Sequence, residues 1–421
     1  MKKEVVKKTL SNGMVAYLYA DKNLKRMLAC YTVNYGLLGY YDQFYYDGKL
    51  YSMPPAVAHF IEHTLMETSK YGNLLHRFKE KSYEVNARTT YEQTSYYFVG
   101  IKDTWDSLKE LINAVDDVNY DEEAIEKVKN AVCEEANMGL DEKYRLAFAA
   151  NKRNATKAYS ATYENYNLLG TAETTKSITL EDVQACYDAY YSNDNKFLVI
   201  GGNFEIDEMV AYLEDIYKEL PVHENKRKPV DYGDLLPIRK PYEELSKPVA
   251  NEFCIVTYKM RDLEPNNSME VDLYLNMFMS LKFAHDTDFV TQLIKDEVII
   301  GGISTSLDFY KGILTVTFNA DVLKQEEFIK KLETQLNSRD LDEEMFELLK
   351  KSYKVNSLSK ADYIYKSLLN FPRSIDFTDK LYNMDVIDSL TLEGLKKVVD
   401  SLDWNLKTVT VVKPSLKEKV N

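Results

Sequence analysis

The sequence predicts an α+β protein with two domains in tandem, each a mostly antiparallel sheet packed with helices. The 421 residues are enough for two or three domains of ordinary size. Short strand-like runs alternate with long amphipathic helical runs in both halves of the chain. These runs lack the regular spacing of strand–helix–strand units, so antiparallel sheets are favoured over a doubly wound parallel sheet.

A proline-rich, charged segment divides the chain. It holds five prolines within about thirty residues and a basic run at 226–228, a composition typical of a linker between domains. We therefore predict an N-terminal domain at 1–220, a linker at 221–248 with its basic run solvated, and a C-terminal domain at 249–421. The prolines are Pro221, Pro229, Pro237, Pro241 and Pro248.

Local patterns place the elements in order. In the first half, the Ser-Asn-Gly turn at 11–13 precedes a strand. Pro54 and Pro55 open a helix, since proline is tolerated in the first helical turn. The predicted strands of this half lie at 14–19, 27–35, 96–101 and 197–200. The predicted elements of the second half are strands at 252–258 and 312–318, a helix at 269–284, and further helices to 402.

The composition excludes several classes of protein. No run approaches the ~18 apolar residues of a membrane-spanning helix, and no apolar segment follows the basic start of the chain, so we expect no signal peptide. A net charge of −14 and a pI near 5.1 argue against a nucleic-acid partner, which needs a basic surface. Four widely separated cysteines without a CxxC pair favour reduced, buried thiols and a cytoplasmic location.

The strongest chemical signal is the sequence His59-Phe60-Ile61-Glu62-His63. The chain has only five histidines, and about 0.01 chance matches to His-x-x-acid-His are expected at this composition. On a helix, His59 and His63 lie one turn apart on the same face, so both imidazoles can bind one divalent ion. Glu62 lies on the other side of His59, within reach of a water on that ion. Zinc favours such ligands, and two core histidines beside a surface glutamate are the weaker interpretation.

A third ligand is expected from the helical pattern at 121–140. With Ile125 at 0°, an apolar stripe runs along one face, Glu135 falls beside it at about 280° and Glu134 opposite it at about 180°. A carboxylate beside an apolar stripe is costly unless it is paired or bound to a metal. Glu135 is therefore the predicted ligand and Glu134 is expected to be solvated. A lysine partner for Glu135 is the open alternative.

These residues resemble those of the inverzincin metallopeptidases, which include pitrilysin, insulin-degrading enzyme and the mitochondrial processing peptidase. The likeness is closest to the short bacterial members, and weaker matches follow in the family's order through most of the first half. They are Leu-Ser-Asn-Gly at 10–13, Val-Asn-Ala-Arg-Thr at 85–89, Glu-Glu-Ala-Asn-Met at 134–138, Leu-Gly-Thr at 169–171 and Ile-Gly-Gly-Asn-Phe at 200–204. The resemblance implies that the two domains are homologous copies of one α+β unit and together form one half of a clam-shaped peptidase.

The resemblance also implies a mechanism and a substrate site. The three predicted ligands would hold one zinc ion per chain, and Glu62 would activate the water on that ion for attack on a peptide carbonyl. The implied substrate is a short or unfolded peptide, enclosed in a chamber and held as an added strand beside Asn86 and Ala87. Without the resemblance, Asn86 is equally well explained as a turn or strand-end residue.

Two departures from the family pattern indicate an incomplete site. Val128 stands where many members have a second glutamate, seven residues before the ligand. The stretch 287–302 lacks the arginine and tyrosine with which the family's second half often grips the substrate, and Gly301-Gly302 is expected to form a turn there. We expect a second homologous subunit to supply those groups, in a heterodimer as first choice and a homodimer as second.

Two other functions stay open at this point. A non-catalytic subunit that captures peptides would explain the missing arginine and tyrosine, and a zinc hydrolase of small amides would share the metal motif. The glutamate of the motif favours catalysis, because a binding-only zinc site needs no general base. The tyrosine-rich loop at 40–51 is interpreted as half-buried, with a role at a substrate entrance as the alternative. The remaining histidines, His76, His223 and His285, are expected to be structural or exposed.

Overall fold

The chain folds into two compact units, and each unit includes a segment from the other half of the sequence. Unit 1 comprises Met1–Gly139, Asn167–Asp231 and Lys360–Tyr382. Unit 2 comprises Leu140–Tyr166, Tyr232–Ser359 and Asn383–Asn421. The predicted ranges 1–220 and 249–421 differ from these units by two exchanged segments, Leu140–Tyr166 and Lys360–Tyr382. The predicted linker 221–248 is divided between the units after Asp231.

The computed structural model describes residues 4–118, 121–140, 143–157, 170–247, 249–261, 263, 269–375 and 380–415. Leu169 and Pro248, which the sequence predictions used, lie outside the described residues. None of the described helices combines the length and apolar character that crossing a membrane requires.

The strands, numbered in chain order, are β1 (Val6–Thr9), β2 (Val15–Ala20), β3 (Met27–Val33), β4 (Gln43–Tyr46), β5 (Lys49–Ser52), β6 (Glu84–Thr89), β7 (Thr94–Gly100), β8 (Lys196–Gly202), β9 (Arg227–Pro229), β10 (Tyr242–Lys247), β11 (Glu252–Arg261), β12 (Ile299–Tyr310), β13 (Ile313–Val322) and β14 (Lys407–Pro414). The α-helices are α1 (Val57–Glu67), α2 (Leu74–Glu80), α3 (Thr104–Asp116), α4 (Glu122–Leu140), α5 (Lys143–Ala155), α6 (Ala172–Ser177), α7 (Leu180–Tyr190), α8 (Ile206–Lys218), α9 (Met269–Phe283), α10 (Asp288–Lys295), α11 (Gln325–Asn337), α12 (Glu343–Ser359), α13 (Ile364–Asn370), α14 (Met384–Ser389) and α15 (Leu392–Asp400).

The sheet of unit 1 has the strand order β1-β2-β8-β3-β7-β6. Only β2 and β8 run parallel among these neighbours, and the other described pairs are antiparallel. The central strands β3 and β8 are buried along their whole length. Helices cover one face of the sheet, while Ile364, Leu368 and Phe371 pack against the other face. β6 is left at one edge, where its outer backbone groups can pair with an added strand.

The sheet of unit 2 repeats this topology. Its order is β10-β14-β11-β13-β12, with one parallel pair, β10 and β14. Strand for strand, this matches β2-β8-β3-β7-β6 of unit 1. The helices also follow in the same order, so α9 takes the place of α1 and α12 the place of α4. The predicted α+β class with largely antiparallel sheets is confirmed.

Two local expectations are wrong, and one strand was not predicted. The basic run 226–228 is not wholly solvated, because β9 pairs with β4 and the Arg227 guanidinium lies 4.7 Å from the centre of the Tyr190 ring. The glycines at 301–302 do not form a turn but lie inside β12, where the pairing register shifts between Ile300 and Ser304. A β-bulge therefore absorbs Gly301, whose φ is 74°. After the predicted helices, the chain adds the unpredicted strand β14.

A buried ion pair joins two elements of unit 1. The side chains of Asp116, at the end of α3, and Lys196, at the start of β8, are 1% and 0% exposed, and Lys196 Nζ donates to Asp116 Oδ1. The Tyr31 hydroxyl donates to Asp116 Oδ2 at 2.7 Å. Burial raises the pKa of Tyr31 well above its usual value, so this phenol stays protonated and remains a donor. The extra hydrogen bond offsets part of the cost of removing the two charges from water.

Candidate metal centre

Helix α1 carries the His-x-x-Glu-His motif and is buried on nearly all sides. Nine of its eleven residues are buried, and His59 and Glu62 are 6% and 8% exposed. The helix begins at Val57, after Pro54 and Pro55, and its N-cap residue Ala56 has a φ of 68°, which is unusual for an alanine. Burying imidazole and carboxylate groups costs free energy unless they are hydrogen-bonded, charge-paired or bound to a metal. The helix therefore holds a polar site inside a hydrophobic core.

Helix α4 has the orientation that its sequence predicts. Its apolar stripe is buried, Glu135 is half-buried with 38% of its side chain exposed, and Glu134 is exposed. The buried stripe residues are Ile125, Val128, Val132 and Ala136. Asp121 accepts a hydrogen bond from the backbone of Ala124 and so begins the helix. Val128 also belongs to the buried stripe. The helix therefore has an apolar side chain at the position where many members of the resembled family have a second glutamate.

The structure brings together three metal-ligand atoms, here called donors: two imidazole nitrogens and one carboxylate oxygen. His59 Nε2 lies 3.2 Å from His63 Nε2. Glu135 Oε2 lies 3.6 Å from His59 Nε2 and 3.4 Å from His63 Nε2. Ligands of a tetrahedral zinc ion lie about 3.3 Å from one another when the metal–ligand distance is about 2.05 Å. The spacing and chemistry of these donors therefore fit zinc, and among the described residues they form the one such cluster of His, Cys, Asp or Glu.

Glu67, which the sequence-based prediction did not include, orients one of the imidazoles. Its Oε1 lies 2.8 Å from His63 Nδ1. A proton on Nδ1 that is donated to Glu67 leaves Nε2 as the nitrogen facing the donor cluster. The spacing in the sequence could have indicated this contact, because Glu67 follows His63 by one helical turn and lies on the same face of the helix. Burial lowers the pKa of His63, but hydrogen bonds to Glu135 and Glu67 outweigh burial and raise this pKa to about 10.

Glu62 is held by a threonine of the edge strand. Thr89 Oγ1 donates to Glu62 Oε2 and lies 3.2 Å from Thr94 Oγ1. Thr94 Oγ1 donates in turn to the backbone oxygen of Tyr35 at 2.9 Å. Burial raises the pKa of Glu62 to about 7, although the hydrogen bond from Thr89 and the charge of His63 act to lower it. The carboxyl group is therefore poised to exchange a proton near neutral pH.

Asn86 and Ala87 lie in the middle of β6, at the edge of the sheet. They pair with Tyr97 and Tyr96 of β7. Side chains alternate along a strand, so Ala87 shares the face of Thr89, which reaches Glu62, while Asn86 points to the opposite face. The expected part of these two residues in substrate binding stays a prediction.

In unit 2, the stretch at 287–302 holds no arginine or tyrosine. Thr287 caps α10 by accepting a hydrogen bond from the backbone of Val290, and the stretch ends in β12. Among the remaining histidines, His76 is exposed and His223 lies 3.1 Å from the backbone oxygen of Asp116. The four cysteines are free and buried, as the sequence predicts.

The tyrosine-rich loop at 40–51 is half-buried, as expected. Tyr41 is buried against the Tyr190 ring, whereas Tyr45 is 40% exposed. Tyr46 and Tyr51 line a cavity of about 610 Å³ beside α7. The alternative role at a substrate entrance stays untested.

Comparisons with known structures identify the fold. The crystal structure of an M16-like peptidase from Alicyclobacillus acidocaldarius superposes with a TM-score of 0.82, at 22% identity, over 99% of both chains. The fold is that of the M16 peptidases. Pitrilysin matches with a TM-score of 0.75 and 18% identity, and the match covers 99% of this chain but 45% of pitrilysin. The M16 fold therefore accounts for the whole chain, which corresponds to about half of the longer protein.

Sequence comparisons find similarity to the M16 peptidases over part of the chain. Residues 177–353 match the family model described as Peptidase M16 inactive domain. This match begins after Glu135, so His59, His63 and Glu135 all lie outside it. The uncharacterised zinc protease YmfH of Bacillus subtilis strain 168 is 23% identical over 402 residues, 93% of this chain and 92% of that protein. An uncharacterised zinc protease of Rickettsia felis is 27% identical over 174 residues, 39% of this chain and 40% of that protein.

Proposed function

We propose that the chain is a zinc-dependent endopeptidase of the inverzincin type that cleaves short or unfolded peptides. One observation carries the proposal: the buried helix that provides two of the three donors also holds Glu62, fixed by Thr89 beside them. A site that only binds zinc gains nothing from a further buried carboxylate held beside the three metal-binding residues.

The residues of the chain have separate roles in this proposal. His59 Nε2, His63 Nε2 and Glu135 Oε2 would hold the zinc ion, and Glu67 keeps the His63 ring in place. A zinc ion in such a site supplies a Lewis acid and lowers the pKa of water.

Glu62 acts as the general base in this proposal. With Oε2 engaged by Thr89, the carboxylate accepts a proton from the attacking water and later delivers it to the leaving amine. Burial raises the pKa of Glu62, which helps the carboxylate to take up the proton before it passes the proton on.

The edge strand β6 is the proposed substrate site. A peptide that adds to β6 as a further strand would pass Asn86 and Ala87 and lie close to Thr89, which contacts Glu62. Pairing through the backbone would select extended chains more than particular side chains. This favours unstructured peptides over folded proteins as substrates.

We also propose that a second, homologous chain completes the substrate site. The absence of arginine and tyrosine from 287–302 supports this, as does the match to about half the length of pitrilysin. A heterodimer is the first choice and a homodimer the second. A cytoplasmic location belongs to the same proposal and is supported by four free, buried cysteines.

The same gap at 287–302 favours one alternative, a non-catalytic subunit that captures peptides. Cleavage of a quenched, unstructured peptide library separates the two functions, with zinc quantified in the same samples. We expect wild type to cleave and Glu62→Gln to lose cleavage while keeping the same zinc content. Zinc-loaded wild type that binds peptides but does not cut them, alone or with a homologous subunit, would favour capture.

A further inference from the structure

The edge strand β6 is held on both faces of the sheet at two consecutive residues. On one face, Thr89 Oγ1 donates to Glu62 of α1. Side chains alternate along a strand, so Arg88 lies on the opposite face. There its Nη2 donates to the backbone oxygen of Leu369 at 2.7 Å, and its Nη1 donates to Asn370 Oδ1 at 3.4 Å. Both acceptors belong to the last turn of α13, so Arg88 joins β6 to the end of that helix.

Helix α13 comes from the C-terminal half of the sequence but packs on unit 1. It belongs to the exchanged segment Lys360–Tyr382. Ile364 and Leu368 are buried in a cluster on this face of the sheet. Gly201 of β8 permits the close approach of the helix, because a Cβ at that position would overlap with Leu368 Cδ1. The helix is therefore fixed by packing of its own, independently of Arg88.

The same segment reaches β6 at the beginning of the strand and at the turn that follows it. The Tyr365 hydroxyl donates to the backbone oxygen of Arg26 at 2.8 Å. Arg26 Nη1 donates in turn to Oε1 of Glu84, the first residue of β6, at 2.5 Å. After the strand, Gln93 Nε2 donates to the backbone oxygen of Pro372 at 3.4 Å. The exchanged segment therefore follows β6 from its first residue to the turn after its last.

An edge strand gains more from such support than a central strand does. Among the described strands, β6 pairs with β7 alone, and strands held on one side open at a lower free-energy cost than the core. A shift of β6 would weaken the bond between Thr89 and Glu62, because hydrogen bonds depend steeply on distance and angle. Arg88 opposes that shift, since its charged donor binds a carbonyl of the last helical turn, which lacks a partner within the helix.

We propose that Arg88 is a positioning residue of the candidate site. It holds β6 against α13, so that the Thr89 hydroxyl stays on Glu62 and the strand edge stays in place for a peptide. The exchanged segment thereby contributes to a site whose metal-binding residues all lie in the first half of the sequence. The effect of Arg88 on cleavage rests on the proposed peptidase function, whereas its effect on the stability of β6 does not.

Hydrogen–deuterium exchange of the full chain, followed by mass spectrometry, tests the hold on β6. Arg88→Met keeps a long side chain but removes the donors, and we expect amides at 84–94 to exchange about 10-fold faster than in wild type. Arg373→Met is the matched control. Arg373 lies on the same segment and is exposed, and among the described residues it bonds to none of β6, so this variant should exchange like wild type. Equal exchange at 84–94 in wild type and Arg88→Met would overturn the proposal.

A double-mutant cycle with Thr89→Val tests whether Arg88 acts through Thr89. We expect Arg88→Met to lower kcat about 10-fold on its own, and to lower it little further when Thr89→Val is already present. Zinc content should be equal in all four proteins. Losses of kcat that multiply would show that Arg88 acts independently of Thr89, and would also overturn the proposal. Wild type that does not cleave would contradict the proposed function alone, because the exchange experiment decides whether Arg88 holds β6.

Discussion

The hydroxyl of Thr89 on the edge strand β6 donates a hydrogen bond to the carboxylate of Glu62 on helix α1. This contact joins the strand proposed to bind peptide to the group proposed to move the proton. Thr94 and the backbone oxygen of Tyr35 continue the chain of contacts into the core. In the proposed mechanism, substrate positioning and proton transfer therefore depend on the same stretch of backbone.

Removing the Thr89 hydroxyl should slow cleavage without emptying the metal site. We expect Thr89→Val to lower kcat by about 10- to 100-fold, the effect of one lost hydrogen bond to a charged group, with a smaller change in KM. Thr89→Ser keeps the hydroxyl and should retain most activity. Equal zinc content in all three proteins is the control. A Thr89→Val variant with the kcat of wild type would show that Glu62 does not depend on this contact.

Removing the carboxylate beside His63 should weaken metal binding. Glu67→Gln no longer accepts the Nδ1 proton as a charged group, so we expect zinc affinity to fall by about 10- to 100-fold. Competition with a chelator of known affinity measures this change. The matched control is Glu134→Gln, an exposed carboxylate beside Glu135 in sequence, which should bind zinc as wild type does. Equal affinities for the two variants would contradict the role given to Glu67.

The buried ion pair of unit 1 should matter for stability. Asp116→Asn leaves the Lys196 ammonium buried without its countercharge, and we expect a loss of about 3–5 kcal/mol in the free energy of unfolding. Urea denaturation followed by circular dichroism measures the loss. Asp215→Asn breaks an exposed pair with Lys218, which water screens, and should leave the free energy of unfolding nearly unchanged. Similar losses of unfolding free energy for the two variants would contradict the larger contribution to stability that is assigned to the buried pair.

A buried lysine of unit 2 should give stability a distinct pH dependence. Burial lowers the pKa of Lys259 from 10.5 to about 8, and its Nζ donates to the backbone oxygens of Ala155 and Leu235. Below pH 8 the lysine is charged in both folded and unfolded chains, so the cost of burying the charge is fully present. Between pH 8 and 10.5 only the unfolded chain stays protonated, and this group's contribution to stability rises with pH.

Comparison with Lys259→Met isolates that contribution. Across this interval, wild type should gain roughly 3 kcal/mol of unfolding free energy relative to the variant, because the other titrating groups are common to both proteins. Parallel stability curves for the two proteins between pH 8 and 10.5 would contradict the burial of a charged Lys259.

Much of the site could be predicted from the sequence because local helical geometry determines it. The spacing within α1 brings the two histidines together, and the apolar stripe of α4 selects Glu135 over Glu134. Thr89 could not be found in this way, since its contact with Glu62 depends on how β6 packs against α1. Glu67 was within reach of the same helical reasoning and was overlooked.

The fold class was predictable from the alternation of strand and helix patterns, but the composition of the two units was not. The described parts of the exchanged segments, at 143–157 and 360–375, pack by tertiary contacts that no local periodicity encodes. The strand β14 was missed although its run at 407–414 is rich in Thr and Val, the β-branched residues that favour strands. Gly301 indicated a turn by composition, yet strand pairing on both sides turned it into a bulge.

Zinc stoichiometry tests the central claim most directly. Metal analysis after equilibrium dialysis against buffered zinc should give one zinc ion per chain for wild type and for Glu134→Gln, and much weaker binding for Glu135→Gln and His59→Ala. Glu134→Gln and Glu135→Gln remove the same charge from adjacent positions. A difference in zinc binding between them therefore reports the position of the carboxylate and not the loss of charge alone. Absence of zinc from wild type, or equal binding by Glu135→Gln and Glu134→Gln, would contradict the assignment of His59, His63 and Glu135 as the metal centre.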